Sequence, residues 1–543
     1  LNAEAASAAQ SRVQTWFCAR SPWQRRGIAT AAGALATLGH APLQLTLLFV
    51  AAIVVLVWLL DVSAQKERRL RSAFSMGWFF GLGHFTTGLY WVAAAFNVDS
   101  DAWGPIWGIP ATLALASGLA LFFGVGALLA VLLWTNDVRR VAALALGLFV
   151  SEWLRGHILT GFPWLLAAYV WTPGEPISQL ASLIGSYGLT LLTLLIAATP
   201  ATLADGDQSS GRRFAPMLVA ALAVGMAWGW GAQHIAGAPA QPPGAEPIVR
   251  VADSGLGQAE KWENRPDQEW RVLDRYLDVT GDPNDDNADS IVIWPEGAIP
   301  VVNFFMLENP DFMAALGRGL GDRVLVTGLT RREGRADGVA YFNSAAVIDG
   351  VNGEARISQF YNKNHLVPFG EYIPFWSLVS NFNIAPLQRI GSGFEAGPSP
   401  TRLVIPGAPP AVVLICYEAI FPGMAPRGEG RPGWIVMVTN DAWFGGGSGP
   451  YQHYAMARYR AIEEGLPVAR AASGGISAIV DSYGRQVAAT NARVLYAEAQ
   501  LPPALQETPY AQWGSIVLAL LFAVIAAFRF IPSGRRGPGG SRK

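Results

Sequence analysis

Cysteine is almost missing from this chain. Its 543 residues include two, Cys18 and Cys416. Two thiols do not make a disulfide framework. No Cys/His cluster has the spacing of zinc ligands, and no glycine-rich phosphate loop follows a strand, so no metal or cofactor is expected. Charge is scarce too. Charged residues make up 15%, and the net charge is −1, which gives no reason to expect nucleic acid as a partner. Hydrophobic residues, by contrast, reach 51%, with 20 Trp. A balance this apolar points to a membrane protein, and Trp favours the membrane interface.

The charges are unevenly spread. Long stretches before residue 235 carry almost none, whereas 246–506 holds most of the acids. A spanning helix needs roughly 20 mainly apolar residues. Candidate spans are 27–39, 43–60, 72–95, 105–134, 141–155, 177–203, 214–235 and 511–531. The apolar start is read as a first span rather than a cleavable leader. The expected plan is a membrane domain of seven spans (1–245), a soluble domain (246–508), and a closing span with a basic tail (509–543).

Lys and Arg in the loops give the orientation. Arg20, Arg25 and Arg26 precede the first span, and Lys66, Arg68, Arg69 and Arg71 follow the second. Arg139 and Arg140, Arg212 and Arg213, and Arg535, Arg536, Arg542 and Lys543 fall on the same side if there are eight crossings. Both termini are then cytoplasmic, and the soluble segment faces outward, into the periplasm of a bacterium. Cys416 becomes an unpaired thiol in an oxidising compartment, unable to meet Cys18 within one chain.

The soluble segment reads as α/β. Strand-like runs are IVRVAD (248–253), SIVIWPE (290–296), RVLVTGLT (323–330), YFNSAAVID (341–349), AVVLICYE (411–418), WIVMVTND (434–441) and ISAIVDS (476–482). Many are continuously apolar, so their sheets should be covered on both faces. A helix is expected over 451–465, stopped by Gly465 and Pro467.

Reactive residues fall at strand ends, where layered α/β folds carry chemistry. Glu296 follows IVIWP, Cys416 follows AVVLI, and Lys363 lies in FYNKNHLVPFGEYIP. A thiol attacks as its thiolate, so it needs a base, which Glu296 would supply. The negative charge that develops next needs a cation, which Lys363 would supply. Taken singly, Cys416 equally suits a core position, Lys363 a solvated surface, and Glu296 a helix cap or an arginine partner. The ordered set is more specific than its members.

These residues resemble the nitrilase superfamily, an αββα sandwich with a Glu–Lys–Cys triad in that chain order. The segments GWFFGLGHFTTGLYWV (77–92), SEWLRG (151–156), GFPW (161–164) and NDAWFGGGSGPYQHYAMARYRA (440–461) extend the likeness to bacterial apolipoprotein N-acyltransferases. That resemblance implies an enzyme of the inner membrane. A phospholipid such as phosphatidylethanolamine would give an acyl chain to Cys416 as a thioester. The α-amine of an S-diacylglyceryl-cysteine at a lipoprotein N-terminus would then accept it. It implies Glu296 as base, Lys363 as oxyanion stabiliser and Cys416 as nucleophile, with Glu371, Tyr417 and Glu418 supporting. Trp262 matches a substrate-side tryptophan, and Trp443 with Phe444 a mobile lid. Gly297, after the glutamate, departs from the family's somewhat larger small residue. A monomer is expected. The rival readings are a membrane-tethered amidase and a transporter. Glu152, Arg155 and His84 are the main polar candidates near the spans, and Glu152 with Arg155 can pair at a membrane edge.

Overall fold

The computed structural model describes residues 12–98, 104–206, 209–239, 247–261, 263, 265, 267–284, 290–298, 307–336, 338–382, 393–491 and 493–530. Trp262 and the apolar 301–306 and 383–392 lie outside them.

The first part is helical: α1 Pro22–Thr37, α2 Thr46–Ala64, α3 Arg69–Gly88, α4 Gly108–Leu132, α5 Arg140–His157, α6 Ala181–Ala198 and α7 Ser210–Ala236. Each overlaps one predicted span. Helix α1 starts where the sequence dictates. Ser21 accepts from the Gln24 N–H, the Gln24 side chain accepts from the Ser21 N–H, and Pro22 occupies the first turn. Among the described residues, four stretches are long and apolar enough to cross a membrane: Thr46–Ala64, Pro105–Leu132, Pro176–Ala204 and Ser210–Ala236. Helices α1 and α3 touch backbone to backbone. A Cβ on Gly33 would sit 1.9 Å from the Phe80 carbonyl oxygen, and one on Gly83 2.0 Å from that of Thr30. Small residues permit such packing where no water drives helices together. Helix α7 instead turns Phe214, Leu218, Leu222 and Met226 outward, as a lipid-facing helix does.

Two six-stranded sheets follow. The strands are β1 Ile248–Ala252, β2 Ile291–Trp294, β3 Val324–Arg335, β4 Gly338–Val351, β5 Glu354–Asn362, β6 Arg402–Leu403, β7 Ala411–Ile415, β8 Trp434–Asn440, β9 Val468–Ser473, β10 Ala478–Val480, β11 Gln486–Ala489 and β12 Tyr496–Gln500. Their orders are β12-β1-β2-β3-β4-β5 and β11-β10-β9-β8-β7-β6. In each sheet the central trio, β1-β2-β3 and β7-β8-β9, is parallel. Of these, β2, β7 and β8 are the continuously apolar runs, because both of their faces are covered.

Val249, Val251, Ile293 and Val326 of one sheet meet Val413, Ile415, Val436 and Val438 of the other. Outside the first sheet, α8 Gln268–Thr280 and α9 Pro310–Leu320 bury Leu273, Tyr276, Phe312 and Leu316 on Val292 and Leu325. Outside the second lies α10 Gly449–Glu464, closed by Gly465 in the left-handed region. The result is an αββα sandwich. Helix α10 is buried on opposite sides for a definite reason. Ala457 and Ala461 pack on the sheet, while Met456, Tyr459 and Ile462 pack into the helical part. A final helix, α11 Pro509–Phe530, returns to α5 and α6.

Candidate active site

The ends of β2, β5 and β7 converge, and the three expected residues meet there. Glu296 lies two residues past β2. Its Oε1 accepts from Asn343 Nδ2 at 2.6 Å, and its Oε2 from the Asn440 N–H at 2.9 Å. Lys363 follows β5 and is 1% exposed, so its ammonium needs partners. It donates to Glu371 Oε1 at 2.9 Å and lies 3.8 Å from Glu296 Oε1. Burial alone would lower the lysine pKa. The Glu371 and Glu296 carboxylates more than offset that and hold it above the ordinary value, so it stays charged through neutral and moderately alkaline pH.

Cys416 starts the turn after β7 with φ +48°. A residue with a Cβ holds that left-handed conformation at a cost of about 1–2 kcal/mol. Enclosure by protein pushes the thiol pKa up, the Glu296 carboxylate pushes it further, and the Lys363 ammonium opposes both. The resting group is therefore a thiol beside a carboxylate, which suits proton transfer during attack rather than a standing thiolate.

The supporting residues fall into two groups. Glu371 sits with Lys363 and Asn343. Its Oε1 takes Lys363 and Asn343 Nδ2, and its Oε2 accepts from the Val367 N–H at 2.7 Å. Glu418 bonds a different set of partners. Fully buried, it accepts from Tyr361 OH at 2.6 Å and from the backbone N–H groups of Asn364, His365 and Ile415. It thus ties the loop after Lys363 to the turn that carries Cys416.

Tyr417 donates to the Gly161 carbonyl at 2.7 Å, which joins the turn to the GFPW loop of the helical part. That loop is held in turn by Arg155, which donates to the Phe162 and Trp164 carbonyls and pairs with Glu152 as expected. His365 Nε2 meets the Thr160 carbonyl at 2.7 Å, a structural contact. Removing the phenol hydrogen bond in Tyr417→Phe should cost about 1 kcal/mol. Thermal unfolding of the purified protein would read this as a drop of a few degrees.

Phe444 is packed rather than swung free. Its ring lies 4.6 Å from that of Trp91 and 5.7 Å from that of Trp164. Trp443, beside it, is half-buried. Both indoles, Trp91 and Trp164, donate to Gln452 Oε1, and the Tyr90 hydroxyl accepts from the Ser448 N–H. The aromatic strip therefore seats the 443–449 segment on the helical part.

Sequence reasoning missed Asn343. Its amide donates to both Glu296 and Glu371, which keeps two carboxylates apart beside one ammonium. The available signal was an amide amid the apolar residues of YFNSAAVID. Asn343→Asp would set a third acid there. It should cut turnover by about 100-fold, because one of the three must take a proton near neutral pH. A steady-state assay, repeated at lower pH, checks this.

Residues 32–199 match the model of the apolipoprotein N-acyltransferase N-terminal domain, and 255–510 match that of carbon-nitrogen hydrolases. An apolipoprotein N-acyltransferase of Rhodopseudomonas palustris is 38% identical over 544 residues, covering 98% of this chain and 99% of that one. This chain belongs to the apolipoprotein N-acyltransferase family. A second such relative, from Bradyrhizobium diazoefficiens, is 41% identical over 518 residues, covering 92% and 94%. Among solved structures, an amidase from Nesterenkonia sp. is 19% identical, covers 48% of this chain and 92% of its own, and has a TM-score of 0.32. Apolipoprotein N-acyltransferase membership joins the two halves of the chain in one enzyme. The two halves meet where Tyr417, next to Cys416, bonds Gly161 and where Phe444 packs on Trp91.

Proposed function

We propose that this enzyme moves an acyl chain from a phospholipid to the α-amine of an S-diacylglyceryl-cysteine at the N-terminus of a lipoprotein. Phosphatidylethanolamine is the expected donor. The reading rests on one observation: a Glu296 carboxylate paired with the buried Lys363, beside a conformationally strained Cys416 whose turn is hydrogen-bonded to a loop of the helical part.

Glu296 takes the proton of Cys416 as the sulfur attacks the ester carbonyl. The oxyanion forms against the Lys363 ammonium. The carbon–oxygen bond breaks, and the leaving oxygen takes the proton from Glu296, which frees the lysophospholipid. The acceptor amine then attacks the thioester and gives its proton to Glu296. The carbon–sulfur bond breaks, and that proton returns to sulfur.

Membrane attachment has an energetic reason. Moving a methylene from lipid to water costs ~0.8 kcal/mol, so a sixteen-carbon chain costs on the order of 12 kcal/mol. A pocket at the bilayer avoids that step. Eight crossings would put the α/β domain (246–508) in the periplasm and both termini in the cytoplasm of an inner-membrane protein, acting as a monomer. Trp262 would face the substrate, and Trp443 with Phe444 would form the lid.

The test uses purified protein, phospholipid and a diacylglyceryl-lipopeptide. Mass spectrometry should find one added, amide-linked acyl chain on the N-terminal cysteine. Release of free fatty acid with no gain on the peptide would indicate a membrane-bound hydrolase, with water as the second nucleophile, and overturn the reading.

A further inference from the structure

The strained conformation of Cys416 has to be held by something. On its N-terminal side, the Ile415 N–H donates to Glu418 Oε2 at 2.7 Å. On its C-terminal side, two carbonyls of the turn face α10. The Cys416 carbonyl oxygen lies 3.2 Å from His453 Nε2, and the Ile420 carbonyl accepts from an Arg460 guanidinium N–H at 3.1 Å. His453 and Arg460 are seven residues apart, two helical turns, so one face of α10 presents both.

His453 is itself tightly held. It is fully buried, and its Nδ1 lies 2.9 Å from Asp441 Oδ1. Asp441 Oδ2 accepts from Arg470 at 2.6 Å, and Oδ1 also accepts from the Thr439 hydroxyl. Burial disfavours the charge on Asp441, but Arg470 and His453 hold its pKa at about 2, so the carboxylate stays ionised. The ring is also stacked on Trp164, with centroids 5.7 Å apart. With its plane and its Nδ1 side fixed, the imidazole has one remaining edge, and that edge meets the nucleophile's own carbonyl. The Asp441 carboxylate at Nδ1 and the Cys416 carbonyl at Nε2 both only accept, so the ring serves the two by donating an N–H from each nitrogen.

We propose that His453 is a positioning residue. Oriented by Asp441 and Arg470, it donates to the Cys416 carbonyl and keeps the nucleophile in the left-handed conformation that aims its thiol at Glu296 and Lys363. The peptide plane after Cys416 is rigid, so fixing its oxygen fixes ψ of that residue. The proposal rests on Cys416 being the acylated nucleophile.

The test measures acyl-adduct formation on full-length protein in phospholipid–detergent micelles, for wild type, His453→Phe and His453→Gln. Phenylalanine keeps a flat ring against Trp164 but removes the donor, whereas glutamine keeps an N–H. A misaimed reactive group costs about 100-fold. His453→Phe should therefore lose about 100-fold in kcat while KM for phospholipid stays within about twofold, and His453→Gln should recover to within about tenfold of wild type. A Phe variant with wild-type kcat overturns the proposal. So does a Gln variant that folds, by its melting temperature, yet is as slow as Phe. If His453→Phe does not fold, the Gln protein carries the test alone: folded and more than about 100-fold slow, it overturns the idea; within about tenfold, it supports it. Wild-type protein that forms no adduct on Cys416 would count against the acylated-cysteine reading instead, so the two failures are distinct.

Discussion

Cys416→Ala should lower lipoprotein N-acylation on the order of 10⁶-fold, the loss typical of deleting a covalent nucleophile. The reason is local. The charged side chains that act on that sulfur are the Glu296 carboxylate and a lysine held as an ammonium. Neither replaces a thiol as an acyl carrier. Cys416→Ser should also fall steeply, because a hydroxyl gives up its proton far less readily than a thiol. The fold should survive both changes, since alanine and serine meet the same φ of +48° as cysteine does. Cys416→Gly makes the argument sharper. Glycine occupies that conformation without strain, so the glycine variant should be inactive yet more stable by about 1 kcal/mol. Parallel melting curves and activity assays read both effects. A glycine variant less stable than wild type would mean that the strain at this turn is not what the geometry implies.

Glu296→Gln should cut turnover about 10³–10⁴-fold, with acyl-adduct formation falling in step. The change is nearly isosteric but removes the base. It also disturbs the hydrogen bonding. Asn343 Nδ2 and the Asn440 N–H are both donors that meet the two carboxylate oxygens. An amide offers one oxygen, so its NH₂ must face a donor. That mismatch should cost a further 1–3 kcal/mol or so of stability. Lys363 keeps its 2.9 Å bond to Glu371, so the pocket should retain its cation. Rapid-mixing measurement of the adduct separates the steps. A normal adduct rate with slow transfer to the amine would assign Glu296 to the second half-reaction alone.

Much of this was legible in the sequence, and for physical reasons. The parallel strands β2, β7 and β8 are buried on both faces, so they read as apolar runs that end in a polar residue. Glu296 and Cys416 stood out because each breaks such a run. Strands that are edges or short leave weaker marks. The exposed edge strand β5 and the two-residue β6 were missed, as were β11 and β12. Strand β9, VARAAS, was missed because Arg470 interrupts its apolar pattern, and the structure pairs that arginine with Asp441. Two span limits moved for local reasons. Helix α3 ends at Gly88, and a separate short helix covers Val92–Val98 beyond Tyr90 and Trp91, which reach the 443–449 segment. Helix α6 breaks at Gly185, and the Ser186 N–H there donates to Glu463 of α10. Contacts like that one join residues 277 apart in the chain and leave no local periodicity to read.

The central claim is that Cys416 carries the acyl chain. The direct measurement incubates full-length protein with phospholipid, digests it, and weighs the peptide holding Cys416. The account predicts a mass gain of one fatty acyl group on that peptide, lost on treatment with hydroxylamine and discharged when the lipopeptide amine is added. An acyl group found on another residue, or lipopeptide acylation undiminished in Cys416→Ala, would contradict it.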